Sequence, residues 1–292
     1  MSKFLKNLHS EIKDFNYECE VLLVDDGSTD NTWLNIKEEK KNYKNLKGLK
    51  LSRNFGKESA IDAGLNFLNE KNKFFIIIDA DLQHPINFIK DLINKFENKK
   101  IDIIYTYRVD EKEGVLREFF SKIFYKILGR FSDINIISKT TDFMLISQKV
   151  RDEFIKIKEI DKTFRVLVSW LGFDSISLPI KINYRTAGKS KYNYFNLFRL
   201  AINTISSYSI LPIKLIGYLG ILMSILAGFS FLFFFVNFFL NFTVISWQTQ
   251  IIFLQIFLSG LTMASVGLLG IYVTKILNNS NKRPNYIIEE EI

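Results

Sequence analysis

The stretch Phe74-Phe75-Ile76-Ile77-Ile78-Asp79-Ala80-Asp81-Leu82-Gln83-His84-Pro85 decides the fold class. Its unbroken apolar run reads as a strand buried on both faces, the kind found in parallel sheets. Polar residues end the run at Asp79, and Pro85 stands where a helix opens, a position proline favours. Working outward, the same alternation repeats. Glu20–Val24, Leu46–Leu51 and Ile101–Tyr105 read as strands. Asn31–Lys41, Lys57–Asn69 and Val115–Leu128 read as helices. The pattern predicts an α/β domain, Rossmann-like, with a mostly parallel sheet and helices on both faces. In such sheets ligands bind beyond the carboxyl ends of the strands.

Polar clusters stand at those ends. Asp25-Asp26-Gly27-Ser28-Thr29-Asp30 follows one strand. Gly27 permits a sharp turn, and Asp26 or Ser28 can cap the next helix, but two adjacent carboxylates exceed what capping requires. After Phe74–Ile78, the alternate residues Asp79, Asp81 and Gln83 point to one side of an extended chain. Together they offer hard oxygen ligands suited to Mg²⁺ or Mn²⁺. A third cluster is cationic: Arg108, then Arg117 and Ser121 on one helix face at spacing four, then Arg185, Lys189 and Lys191. The arginine fork suits phosphate. Gly188-Lys189-Ser190 lacks the upstream glycine of a phosphate-binding P-loop, and no G-x-G-x-x-G follows a strand. With only His9 and His84, a histidine triad or histidine zinc site is unsupported.

Composition narrows the classes further. The chain has 292 residues, 48% hydrophobic, with one cysteine and a net charge of +8. A disordered chain and a disulfide scaffold are both excluded. No charged residue or histidine occurs from Leu215 to Thr274, long enough for two membrane spans of ~20 residues and a turn. The spans are expected near Ile213–Leu240 and Ile251–Leu277, with Trp247 anchoring the turn. Lys214, Lys275, Lys282 and Arg283 flank them and the turn carries no positive charge. The positive-inside rule then puts the N-terminal domain and both termini in the cytoplasm, with the protein multi-pass in the inner (plasma) membrane. Residues 193–212 suit an amphipathic helix at the membrane surface. Nucleic acid is not an expected partner, since no basic stripe carries interleaved aromatics.

Taken together and in order, Asp25-Asp26-Gly27-Ser28-Thr29-Asp30, Arg53-Asn54-Phe55-Gly56-Lys57, Asp79-Ala80-Asp81-Leu82-Gln83, Thr141-Asp142-Phe143 and Tyr184-Arg185 through Tyr192, then two spans, resemble a family. The sequence is similar to family 2 glycosyltransferases of the polyprenyl-phosphate (bactoprenol) type, relatives of dolichol-phosphate mannose synthases. The resemblance implies a GT-A-like cytosolic domain over 1–192, an interface helix over 193–212, a two-helix transmembrane hairpin over 213–277 and a cytosolic tail over 278–292. It implies that Asp25, Asp26, Ser28, Lys57 and Asp79 bind the nucleotide-sugar, and that Asp79, Asp81 and Gln83 hold the Mg²⁺ or Mn²⁺. Arg108, Arg117, Ser121, Arg185 and Lys189 would grip the acceptor phosphate, with Asp81, Asp142, Arg117 and Arg185 carrying catalysis. The implied reaction moves a hexose, glucose by expectation, from a UDP-sugar to undecaprenyl phosphate with inversion. Relatives with two spans can form tetramers, so a homo-oligomer is compatible with the type.

Relatives of this type open with a strand ending in a Pro-x-Tyr-Asn-Glu-like motif. This sequence starts at the next helix, Phe4–Phe15, so that first strand is expected to be missing and two strand edges exposed. An impaired, truncated transferase that binds nucleotide-sugar or serves as a membrane scaffold is the alternative. A processive synthase would carry Gln-x-x-Arg-Trp, which Arg165-Val166-Leu167-Val168-Ser169-Trp170 does not match.

Overall fold

The computed structural model describes residues 1–13, 15–68, 71–109, 140–159, 162–181, 216–223, 247–281 and 283–292, with a few positions between 225 and 236. They fall into two units: the N-terminal part together with residues 283–292, and a second unit that holds the long C-terminal helix.

The first unit runs α1 (Ser2–Ile12), β1 (Val21–Asp25), α2 (Thr32–Asn42), β2 (Leu46–Leu51), α3 (Lys57–Phe67) and β3 (Phe74–Ile77). A 3₁₀ turn at Ile86–Phe88 leads into α4 (Ile89–Lys99), then β4 (Ile103–Arg108). After the undescribed stretch come β5 (Thr140–Ser147), α5 (Gln148–Lys156), α6 (Phe164–Trp170) and β6 (Ser175–Ile180). Each helix is there because its apolar residues recur on one face. Phe4, Leu5 and Leu8 of α1 and Ile89, Leu92 and Ile93 of α4 are buried in one cluster with Ile104, Phe143 and Leu145. Burying each such side chain contributes roughly 1.5–3 kcal/mol.

The strands form two sheets, ordered β1-β2-β7 and β3-β5-β4-β6. β1–β2 and β4–β6 are parallel, whereas β3–β5, β4–β5 and β2–β7 are antiparallel. The expectation of a mostly parallel sheet is corrected to two mixed sheets. The cause is β5, which runs antiparallel between β3 and β4 and leaves those two parallel to each other.

β3 also departs from expectation. Only Phe75 of that strand is buried. Among the described residues, β1 and β3 are each hydrogen-bonded on one side alone, by β2 and β5 respectively. Both line a cavity of about 560 Å³ that α1 and α3 also border. Ile76 and Ile77 contribute to its wall and stay half-exposed.

Residues 278–292, expected to be a tail, include β7 (Ile288–Glu291). This strand pairs with β2 through Leu49↔Glu291 and Lys50↔Glu290, and Ile292 exchanges two 3.0 Å backbone bonds with Gly48. Trp33 donates from Nε1 to Glu290 at 2.7 Å, Lys37 and Lys50 pair with Glu290 and Glu289, and Tyr286 packs on Leu49, Leu51 and Ala63. Sequence alone gave no sign of this, because a run of glutamates has no strand pattern; lysines on α2 and β2 supply the counter-charge.

In the second unit, α7 (Trp247–Ser280) is about 50 Å long at 1.5 Å per residue. Its window Phe257–Thr274 has mean hydropathy 1.6 with nothing buried, so it is long and apolar enough to cross a membrane. Thr262, Ser265 and Thr274 return their hydroxyls to carbonyls four residues back, each at 2.8 Å, which suits an apolar setting. Among the described residues it is the one helix that passes this test. The expected first span lies largely outside the described residues, and the expected interface helix over 193–212 wholly so.

Candidate active site

The site grows from the carboxyl end of β1. Asp25, the last residue of the strand, is buried; its Oδ1 accepts from the Ser28 amide at 3.1 Å, and its buried Oδ2 has no hydrogen-bond partner among the described residues. An unpaired buried carboxylate oxygen is costly unless something else satisfies it. Gly27 has φ +64°, and a Cβ there would come within 2.2 Å of the Arg53 backbone, so only glycine lets the two loops touch. Asp26 accepts from two successive amides, Phe55 at 2.8 Å and Gly56 at 2.9 Å. The Asp26 carboxylate thus braces the 53–57 loop, while the Arg53 guanidinium lies 4.1 Å over the Phe55 ring.

That brace aims Lys57, the first residue of α3. Its Nζ sits 2.6 Å from an Asp79 oxygen and 2.6 Å from Asp142 Oδ2. Asp142 Oδ1 is taken by Arg165 Nε at 2.8 Å, and Arg165 Nη1 donates to the Thr140 carbonyl at 2.7 Å. Four segments distant in the chain therefore meet in one alternating row of charges. Burial opposes the charged ammonium of Lys57, but Asp142 and Asp79 outweigh it and raise its pKa. Burial likewise works against the Asp142 carboxylate, yet Arg165 and Lys57 hold it below the usual range. Glu58, beside Lys57, accepts from the Phe164 amide at 2.7 Å, and burial raises its pKa.

The Asp79–Gln83 turn is unusual. Asp81 accepts from the Gln83 amide at 3.0 Å, and Leu82 between them has φ +63°, a strained conformation for a branched side chain. His84 is buried with its Nε2 3.9 Å from Asp79, too far for a hydrogen bond. Burial lowers its pKa, although Asp79 and Asp81 pull the other way. Arg108, at the carboxyl end of β4, acts electrostatically on the same imidazole.

Of the expected site residues, the structure brings Asp79, Asp142 and Lys57 into contact, and Asp25, Asp26 and Ser28 onto the adjoining turn. Arg117, Ser121, Arg185 and Lys189 lie outside the described residues. Arg165 and Glu58 were not anticipated; neither belongs to a recognisable motif. Among the described residues no three His, Cys, Asp or Glu side chains gather as a metal cage. The expected cation would need few protein ligands here. A lysine ammonium already lies between the Asp79 and Asp142 carboxylates, and Mg²⁺ commonly takes one or two carboxylates plus phosphate oxygens and water.

Residues 2–154 match the family model described as Glycosyl transferase family 2, which is more than half of the chain. The chain belongs to glycosyltransferase family 2. The transferase is 33% identical over 291 residues to an uncharacterized glycosyltransferase, YkcC, of Bacillus subtilis (strain 168), covering 98% of this chain and 87% of that protein. It is 30% identical over 279 residues to the bactoprenol glucosyl transferase of Shigella phage SfV, covering 94% and 89%. A prophage bactoprenol glucosyl transferase homolog of Escherichia coli (strain K12) is 29% identical, with 94% and 89% covered. These matches run through the first unit and beyond it, covering 94–98% of the transferase.

Proposed function

We propose that the transferase moves glucose from a UDP-sugar to a polyprenyl phosphate at the membrane surface, inverting the anomeric centre. The observation that carries this reading is the charge row Asp79–Lys57–Asp142–Arg165 at the carboxyl end of β3. The names of relatives that match nearly end to end and the exposed apolar helix α7 support a lipid-borne acceptor.

A phosphate oxygen of the acceptor attacks C1 of the sugar as the C1–O bond to the nucleoside diphosphate breaks, and the diphosphate leaves with the bonding pair. The acceptor is already anionic near neutral pH, so no proton need be removed. Asp142 fits that chemistry: with its pKa lowered and both oxygens held by cations, it is a weak base and serves to orient Lys57 and Arg165. Those cations stand where charge grows on the leaving group. Asp25 and Asp26 would position the nucleoside, directly through the open oxygen of Asp25 and indirectly through the loop that Asp26 braces. A divalent cation held by Asp79, Asp81 and Gln83 would neutralise diphosphate charge when bound. Arg108, with Arg117, Ser121, Arg185 and Lys189, would take the acceptor phosphate. The proposed topology has two spans and both ends in the cytoplasm, and a homo-oligomer remains compatible with it.

Purified full-length protein in detergent, given UDP-glucose, Mg²⁺ and undecaprenyl phosphate, should yield a glucosylated lipid by mass spectrometry, and Asp79→Asn should abolish it. If a related enzyme makes product under these conditions and this protein makes none from any nucleotide-sugar tested, the reading is wrong. A second reading, nucleotide-sugar binding without turnover, draws on the edges of β1 and β3 that no strand among the described residues pairs. Donor binding with no lipid product would favour it.

A further inference from the structure

We propose that Lys57 is a tethered counter-cation lodged in the acidic site, and that a divalent cation binding at Asp79 must displace its ammonium. The inference rests on the reading of this site as one that gathers a nucleoside diphosphate and a divalent cation. Lys57 Nζ touches both oxygens of Asp79, at 2.6 and 2.7 Å, and Asp142 at 2.6 Å. An ammonium 2.6 and 2.7 Å from the two Asp79 oxygens sits between them, in the place a metal chelated by that carboxylate would take. Cation and lysine therefore compete for one carboxylate, and two positive charges this close repel each other.

The lysine cannot drift away on its own. Gly56, at φ +98°, is the residue that caps α3 just before Lys57, and Asp26 pins the Phe55 and Gly56 amides, so the root of the Lys57 side chain is fixed. Only the four-carbon stem can swing. Asp142 keeps an oxygen for the ammonium, so a lysine driven off Asp79 retains one partner and can turn toward the incoming diphosphate. The donor supplies two or more negative charges, which satisfy both cations at once. Metal without nucleotide should then bind weakly and metal with nucleotide tightly, so that Lys57 makes the site refuse an idle cation.

Mn²⁺ alone, titrated into the full chain in detergent and followed by loss of the free Mn²⁺ electron paramagnetic resonance signal, tests this. Lys57→Met should bind Mn²⁺ at least tenfold more tightly than the wild type. Lys57→Arg should stay near the wild type, and Asp79→Asn added to Lys57→Met should cancel the gain. Equal or weaker Mn²⁺ binding by a folded Lys57→Met protein overturns the proposal. A second measurement covers misfolding of that variant. Lysines of the wild type are reductively methylated with ¹³C, which keeps their charge, and the Lys57 signal is assigned by its loss in Lys57→Arg. Mg²⁺ should shift that signal at saturation; a signal that stays in place while Mg²⁺ binds also overturns the proposal. Neither readout involves sugar transfer, so failure of the proposed reaction leaves this test intact.

Discussion

Removing Lys162 should destabilise the first unit far more than removing Lys162 together with its partner. Asp62, on α3, is 3% exposed and Lys162 7%. Their ion pair is 2.8 Å long, and Asp62 also accepts from Asn66 at 3.0 Å and from Asn285 at 3.3 Å. Breaking a buried pair from one side costs about 3–5 kcal/mol because the surviving charge is stranded. Asp62 would keep its two amide donors in Lys162→Met, so the lower end applies, about 3 kcal/mol. For a domain of this size each kcal/mol shifts Tm by about 2–4 °C, which gives a drop of about 6–12 °C. In Asp62→Leu/Lys162→Met no charge is left behind. Asn66 retains the Asp62 carbonyl at 2.8 Å, and Asn285 retains the Glu159 carbonyl at 2.9 Å. The double variant should therefore melt within about 2–4 °C of the wild type, roughly 1 kcal/mol. Differential scanning fluorimetry of the full chain in detergent reads both. A single variant that loses under 2 °C, or a double variant that loses as much as the two singles summed, would refute the reasoning.

Other outcomes follow from the site. Gly27→Ala forces a Cβ into the Arg53 backbone at positive φ, so Tm should fall by several degrees and nucleotide-sugar affinity should be lost in calorimetry. Asp142→Asn should lower kcat at least tenfold by releasing Lys57 and Arg165, while the acid limb of the kcat/KM profile persists; loss of that limb would make Asp142 a base. His84 has a folded-state pKa below its unfolded value of about 6.5, chiefly through burial. The fold therefore favours the neutral ring, so stability is full above about pH 6.5 and declines as pH falls toward the folded pKa, where it levels off. A Tm series from pH 7.5 to 5 should slope downward in the wild type and flatten in His84→Gln.

The first half of this fold was legible because period and punctuation agreed. Leu46–Leu51 matches its strand end for end, and β1, α2, α3 and β3 lie within two residues of their expected bounds. The second half resisted for physical reasons. β6 contains Pro179, which argues against a strand, yet β6 is the edge of its sheet, where proline is tolerated. β7 is three glutamates and an isoleucine, held as a strand by its backbone pairing with β2 and by Lys37, Lys50 and Trp33 on its glutamates. Those partners lie far away in the chain, Trp33 257 positions from Glu290, so local pattern holds no trace of them.

The antiparallel course of β5, which overturned the expected sheet, is also what makes the site. Ile77 pairs with Met144 and Tyr107 with Thr140, so the beginning of β5 lies level with the carboxyl ends of β3 and β4. Asp142 is the third residue of β5 and thereby arrives beside Asp79. Had β5 run parallel, its third residue would stand about five residues from that edge, more than about 15 Å away at 3.3 Å per residue. Lys57 could not then bridge the two carboxylates. Arg165 arrives by the same route, since α6 packs after β5 and its arginine reaches back to the first residue of that strand, Thr140. Strand polarity is a long-range property that no motif in the sequence encodes. The acidic motifs therefore pointed to carboxylates that the structure gathers, while the bridging position of Lys57, expected as a nucleotide-sugar ligand, and the arginine behind it emerged only once the direction of one strand was known.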